Sequence, residues 1–246
     1  MDLLDAGRID AWADLVAARV LARLAAHPAL RLCLPTGLTP VPVYDRLAAA
    51  VTAGTASFAG AEVFLLDEFG GVSPDDPGRC DRMLEHALLS RIDLPASRFH
   101  RFALDGDIAA ECRRYDALVG AGCDLTLLGI GTNGHLGMNE PGSAPDAPTR
   151  RVELAPSTIA ASARYFGRDT NLPTWGVTMG LGTLARSREI WILASGAGKA
   201  PIVRETIDGP VSPAIPSTFL RRHPATTLIA DADAASLARA SGNTTC

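Results

Sequence analysis

The sequence has no C-x-x-C pair: its five cysteines, at 33, 80, 112, 123 and 246, are scattered and odd in number. A zinc ribbon is therefore excluded and a disulfide framework is not expected, so the thiols read as reduced and the protein as cytoplasmic. No uninterrupted apolar run reaches the roughly 18 residues that a membrane span requires. The N-terminal stretch MDLLDAGRIDAWADLVAARV is charged and amphipathic and lacks the apolar core and cleavage site of a signal peptide. Excess positive charge is missing too, the formal net charge being −4. Nucleic acid is thus not an expected partner, and an anionic ligand would have to be held by local cations. Repeats, low-complexity tracts and linkers are also absent. The 246 residues, 47% hydrophobic and 20% charged, read as one globular domain spanning 1–246.

What is present is alternation. Ile9, Trp12, Leu15, Val16, Val20 and Leu24 recur at helical spacing, ending before Pro28. Apolar strands are expected at 30–34, 61–68, 124–130, 174–180, 189–195 and 226–230. Between them, helices are expected through Val43 to Val51, around Met83 to Leu89, over 108–119, 157–166 and about 198–207, with a short one at the C-terminus. This pattern predicts an α/β, Rossmann-like fold: a mainly parallel sheet with helices on both faces. Ligands of such sheets bind beyond the carboxyl ends of the strands. Four unusual segments fall at those ends: PTGLTP, DEFGG, GTNGHLGMNEPG and SGAGK.

Each segment has a bland reading and a chemical one. In PTGLTP (35–40), Thr36, Gly37, Leu38 and Thr39 precede a helix, where backbone N–H groups, the helix dipole and hydroxyls suit a phosphate. The plain alternative is a turn in which Thr39 caps the helix and Pro40 begins it. SGAGKA sets Lys199 at another helix start but lacks P-loop spacing, so alone it reads as a solvated lysine, and Arg164 is equally ambiguous. Asp67 and Glu68 end a strand. Adjacent strand residues face opposite ways, so one carboxylate at most turns easily into a cleft, where it could act as a base. In the glycine-studded loop, Gly131, Asn133 and Gly134 are ordinary turn residues, but turn chemistry does not explain His135 five residues before Glu140. An imidazole titrates near neutrality and takes its tautomer from a neighbouring amide or carboxylate, which points to acid/base work. Histidines 27, 86, 100 and 223 lack such company.

Together, LPTGLTP, LLDEFGGVSPDDPG, LTLLGIGTNGHLGMNEPGS, ASARYF, GVTMGLGTL and SGAGKA resemble, in order and over nearly the whole chain, the glucosamine-6-phosphate deaminase/isomerase family. That family shares its Rossmann-like fold with the 6-phosphogluconolactonases. Lactonases share the glycine–histidine core but not the following NEP, and usually carry arginine after DE, where this chain has Phe69. The resemblance implies an amino-sugar 6-phosphate as substrate, either glucosamine-6-phosphate or its C4 epimer galactosamine-6-phosphate. It implies a catalytic set of Asp67, Asn133, His135 and Glu140. His135 would open the pyranose ring, Asp67 would move a proton from C2 to C1 through an enediol-like intermediate, and Glu140 would orient His135. The phosphate would be gripped by the Thr36, Gly37, Leu38, Thr39 turn with Arg164 and Lys199. No metal and no cofactor are implied, and the family includes monomers through hexamers, so a homo-oligomer is compatible.

The chain departs from the family pattern at several positions. Asn133 stands where many deaminases have aspartate; it can hold an imidazole tautomer but offers no charge to an imidazolium. Leu38 replaces a small residue, and Cys80 and Met138 differ from the commonest glucosamine forms. Two other readings carry less weight: a lactonase, with His135 as base to water, and a non-catalytic sugar-phosphate-sensing domain, disfavoured by the retained acid/base set and the lack of a spare N-terminal segment. Allosteric relatives carry a basic pair after NEP; here one position is Arg150 but the other is Val152, and the sequence ends at SGNTTC. Activation by N-acetylglucosamine-6-phosphate is therefore not expected, and rate against substrate should be hyperbolic. A sigmoidal curve that this effector straightens is the contrary result.

Overall fold

The structure is a computed structural model and describes residues 1–167 and 171–238. In chain order its main elements are β1 (Asp2–Asp5), α1 (Ile9–Ala26), β2 (Arg31–Leu34), α2 (Val41–Thr52), β3 (Glu62–Leu65), β4 (Asp67–Phe69), α3 (Cys80–Ala87) and β5 (Phe99–His100). There follow α4 (Ile108–Val119), β6 (Leu125–Gly129), β7 (Arg150–Glu153), α5 (Pro156–Ser162), β8 (Trp175–Thr178), α6 (Leu181–Leu184), β9 (Glu189–Ala194), α7 (Ala200–Asp208), β10 (Thr226–Ala230) and α8 (Ala232–Ala235). Apart from the short α6, which was not anticipated, the helices form where the apolar spacing called for them. In α1, Trp12, Ala13, Val16, Ala17, Val20 and Leu24 make the buried stripe. In α4, Asp107 accepts from the N–H groups of Ala109 and Ala110, and Gly120 ends the helix at φ +58°.

Seven strands form a parallel sheet in the order β1-β10-β9-β6-β2-β3-β5. Successive residues of β6 and β9 are buried without alternation, so both faces of the sheet are covered. From β2 the chain steps outward to β3 and β5, then returns past β2 to β6 and on to β9 and β10. Strand order therefore reverses between β2 and β6, and the connections leaving their carboxyl ends part to make a crevice. No helix among the described residues is long and apolar enough to cross a membrane.

Four sequence expectations need correction. The run 61–68 is two strands: after Leu65 the chain leaves the main sheet, and Asp67–Phe69 pairs antiparallel with β8. Likewise 174–180 supplies β8 to a separate three-stranded sheet, order β4-β8-β7, rather than to the parallel sheet. Finally, β1, β5 and β7 were not anticipated. They are short and only partly buried, so no apolar run marks them. Helix α5 also stops at Ser162, short of the expected 166. The SGNTTC end lies outside the described residues.

Buried polar side chains fasten the layers. The Trp12 indole N–H donates to Ile229 O at 3.0 Å, and the Tyr115 hydroxyl reaches Leu65 O at 2.8 Å and His100 O at 3.0 Å. Tyr115 stacks on Phe102 at 3.9 Å between ring centroids and is fully buried. Replacing it with phenylalanine keeps the packing but removes the single O–H that the two strand-end carbonyls share. Tyr115→Phe should cost about 1–3 kcal/mol, read as a lower urea midpoint at unchanged slope.

Candidate active site

The four segments singled out above open onto one cleft of about 360 Å³ at the crevice between the ends of β2 and β6. Its wall includes Thr36 to Thr39, Asp67, Asn133, His135, Arg164 and Lys199. Of the residues expected in the site, only Glu140 does not line it; it stands behind His135.

The exit from the main sheet decides which acid faces inward. Asp67 lines the cleft, while Glu68 is fully enclosed on the other side of β4. There Glu68 accepts from the backbone N–H groups of Phe69 (2.8 Å), Cys80 (2.9 Å) and Asp81 (3.0 Å) and from Arg79 (3.3 Å). Four donors make it a structural anchor for the start of α3. Asp67 has a thinner supply. Burial pushes its pKa up to about 6, against smaller opposing effects of the Cys80 thiol and the His135 charge. A carboxylate in that state is ionised above neutral pH but poorly solvated, which is what a base acting on a C–H bond requires.

The loop after β6 is built around the imidazole. Gly134, at φ +82°, turns the chain, and Gly131 lies so close under the His135 ring that no side chain fits there. The His135 N–H donates to Asn133 Oδ1 at 3.1 Å, and Asn133 Nδ2 donates to Glu140 Oε2 at 3.0 Å. His135 Nδ1 lies 3.5 Å from the same Glu140 oxygen, longer than a full hydrogen bond and an ion pair only when the imidazole is protonated. Asn133 thus braces the backbone and the carboxylate, not the imidazole ring as the sequence suggested. Burial alone would raise the Glu140 pKa; His135, Thr158 and Asn133 outweigh it and hold the carboxyl at about 2. Asn139 lies fully buried: it donates to Leu136 O and Met179 O at 2.9 and 2.8 Å, and its own oxygen accepts from Arg150.

The opposite end of the cleft is cationic. Pro40, not Thr39, occupies the N-cap of α2, with no side-chain bond there, so the Thr36 and Thr39 hydroxyls are not spent on capping. Among the described residues the N–H groups of Gly37 and Thr39 have no acceptor. Gly37 adopts φ +88° directly beneath the Tyr165 hydroxyl. Leu38 lines the mouth of the cleft and is 62% exposed. Lys199 reaches across to Ile130 O at 2.6 Å, tying the loop after β9 to the loop after β6. Burial and the nearby Arg164 lower its pKa. Arg164 itself bonds Ala161 O at 2.8 Å and stays exposed. No group of three or more His, Cys, Asp or Glu among the described residues is arranged to hold a metal ion.

The family model for glucosamine-6-phosphate isomerases/6-phosphogluconolactonase matches residues 5–229. The chain belongs to that family. A glucosamine-6-phosphate deaminase of Geobacillus sp. strain WCH70 is 40% identical over 240 residues, covering 96% of each chain. One from Rhodopirellula baltica is 40% identical over 90% of each. Among solved structures, a monomeric glucosamine-6-phosphate deaminase superposes with TM-score 0.92 at 34% identity, over 96% of this chain and 100% of that one. The 6-phosphogluconolactonase of Thermotoga maritima, 22% identical with TM-score 0.72 over 93% of this chain and 97% of that one, shares the fold.

Several residues of this family member's site escaped sequence reasoning. Thr158, in the first turn of α5, lines the cleft, and Tyr165 roofs the Thr36–Thr39 turn. Neither carries a composition or spacing signal, because both arrive from a segment remote in sequence. The strained ionisation of Asp67 gives a stability test. Its native pKa lies above the ordinary 3.8, so its stabilising protonation is complete below that value and is lost as pH rises through about 6. Asp67→Asn removes the buried charge and should be more stable than wild type at pH 8 by up to about 3 kcal/mol. The difference should shrink toward zero near pH 4 in denaturant titrations, and a less stable Asp67→Asn at pH 8 would contradict the burial argument.

Proposed function

We propose that the chain, acting as one domain, is an amino-sugar-6-phosphate deaminase/isomerase. It converts glucosamine-6-phosphate, or its C4 epimer galactosamine-6-phosphate, to the ketose 6-phosphate and ammonia. The observation that carries this reading is the shared cleft: a dry carboxylate, an imidazole backed by a second carboxylate, and a cationic turn open onto one volume of about 360 Å³. Deaminase relatives at 40% identity over nearly full length support the same chemistry.

The phosphate would sit on the free N–H groups and hydroxyls of the Thr36–Thr39 turn, with Lys199 and Arg164 supplying the charge that the net −4 of the chain does not. His135, tethered through Glu140 and Asn133, would deliver a proton to the ring oxygen as the C1 hydroxyl loses one, giving the open aldehyde. Asp67 would remove the C2 proton; the electrons move to the carbonyl and leave an enolamine. Returning that proton to C1 makes an imine at C2, which adds water and expels ammonia. Retaining one proton on one carboxyl between two adjacent carbons is favoured by burial, since solvent exchange is slow in a dry site.

This assignment uses Asp67 as a carbon base, which a lactonase has no need of. Ammonia release should be measured with both sugar phosphates in parallel. Asp67→Asn should lower kcat by about 10³-fold or more and His135→Gln by about 10²-fold, each with a smaller change in KM. The acid limb of kcat/KM should fall near pH 6, where Asp67 gains its proton. Hydrolysis of a gluconolactone 6-phosphate without ammonia release from either amino sugar would overturn the proposal.

A further inference from the structure

The small antiparallel sheet has no counterpart in the chemistry described so far, yet one row of it runs straight through the site. Asp67 on β4 is paired with Thr178 on β8, and Thr178 with Arg150 on β7. Residues directly opposite one another in neighbouring strands turn their side chains to the same face. On this face lies the segment Leu136–Ser143, and each member of the row meets it. Asp67 Oδ2 faces Gly137, where a Cβ would come within 3.2 Å. The Thr178 hydroxyl accepts from Met138 N at 3.2 Å. Arg150 donates from Nη1 to Asn139 Oδ1 at 2.8 Å and from Nη2 to Ser143 Oγ at 2.9 Å.

We infer that Arg150 is a positioning residue: its two guanidinium nitrogens clamp both flanks of Glu140, so that the small sheet fixes the loop acid/base pair relative to Asp67. The inference rests on the function proposed above. Asn139 precedes Glu140 directly, and the Ser143 N–H donates to Glu140 O at 3.0 Å. The clamp therefore bounds the one residue whose carboxylate holds Asn133 and meets His135. Arg150 is not among the residues that line the cleft. It has no carboxylate partner among the described residues either, so its charge serves as a fork of donors rather than as half of an ion pair. The sequence resemblance puts Arg150 at one of two effector positions of allosteric relatives; here each terminal nitrogen donates to the loop.

A clamp of this kind changes orientation and leaves substrate binding alone. Arg150→Ala should lower kcat by about 10- to 100-fold with KM for the amino-sugar phosphate within about twofold. Guanidinium chloride, kept well below denaturing concentration, should restore part of the rate where equal sodium chloride does not. Arg113→Ala, an exposed helical site, should show neither effect. Amide hydrogen exchange in 136–143 should accelerate in Arg150→Ala while that of β6 stays at the wild-type level. Should Arg150→Ala fold poorly, Arg150→Lys, which reaches one partner but not both, should show the same fall in kcat at constant KM. Wild-type kcat in either variant, a loss carried by KM, or a loss that guanidinium leaves untouched overturns the inference. A wild-type protein that releases no ammonia overturns the proposed function instead, and the exchange pattern then decides the clamp by itself.

Discussion

A carboxylate that takes a proton from carbon has to be dry, and dryness raises the free energy of its charged form. Asp67 lives under that constraint: it is buried, its pKa stands near 6, and nearly everything around it either keeps water out or tempers the cost. Its neighbour Glu68 shows the alternative solution. Equally removed from water, Glu68 is held by four donors on the far side of the strand, and burial still pushes its pKa up to about 7. Two adjacent acids in one sequence motif are separated in function by the alternation of a strand, and only the one that faces the cleft can meet a ligand.

The fold meets the constraint by crossing two sheets. The parallel sheet supplies the crevice, since strand order reverses between β2 and β6 and the loops that leave them part. A parallel sheet by itself could not hold Asp67 rigidly, because residues past a strand end have no ladder. Leaving the main sheet at Leu66 and entering the antiparallel one at Asp67 returns backbone hydrogen bonding to the chain at the point where precision is needed. The Met179 N–H donating to Leu66 O at 3.0 Å closes that junction. The same small sheet then carries Thr178 and Arg150 against the loop of His135, so acid, base and brace share one rigid reference.

Most of the parallel sheet was legible because its strands are long apolar runs buried on both faces, and the strand at 226–230 was read to the residue. The small sheet was not, for a physical reason. Leu65 and Leu66 are both buried, so nothing in hydrophobicity marks the change of sheet between them. The exposed alternation of Arg150–Glu153 looks like any charged loop. Within the site, residues with titrating side chains stood out, and so did the glycines that the loop cannot do without. Thr158 and Tyr165 did not stand out, since a threonine or tyrosine acquires meaning only from what the fold brings beside it. Asn133 was placed in the right loop and given the wrong partner: its amide spans Glu140 and the His135 backbone, where the sequence pointed to the ring.

That placement explains why an amide suits position 133 in this chain. The Glu140 oxygen that accepts from Asn133 at 3.0 Å is also the one nearest the imidazole. A carboxylate at 133 would set two like charges at hydrogen-bonding distance in a half-buried loop, and one of them would have to take up a proton. The amide instead donates, which stabilises the ionised form of Glu140 and leaves a single, localised negative charge behind His135. Because one neutral side chain serves both the carboxylate and the backbone N–H of the histidine, the charge on the loop and its shape are set together. The clamp by Arg150 acts on the same short segment from the far side, so Glu140 stands between an amide bonded to its carboxylate and a guanidinium bonded to the side chains of Asn139 and Ser143 on either side of it.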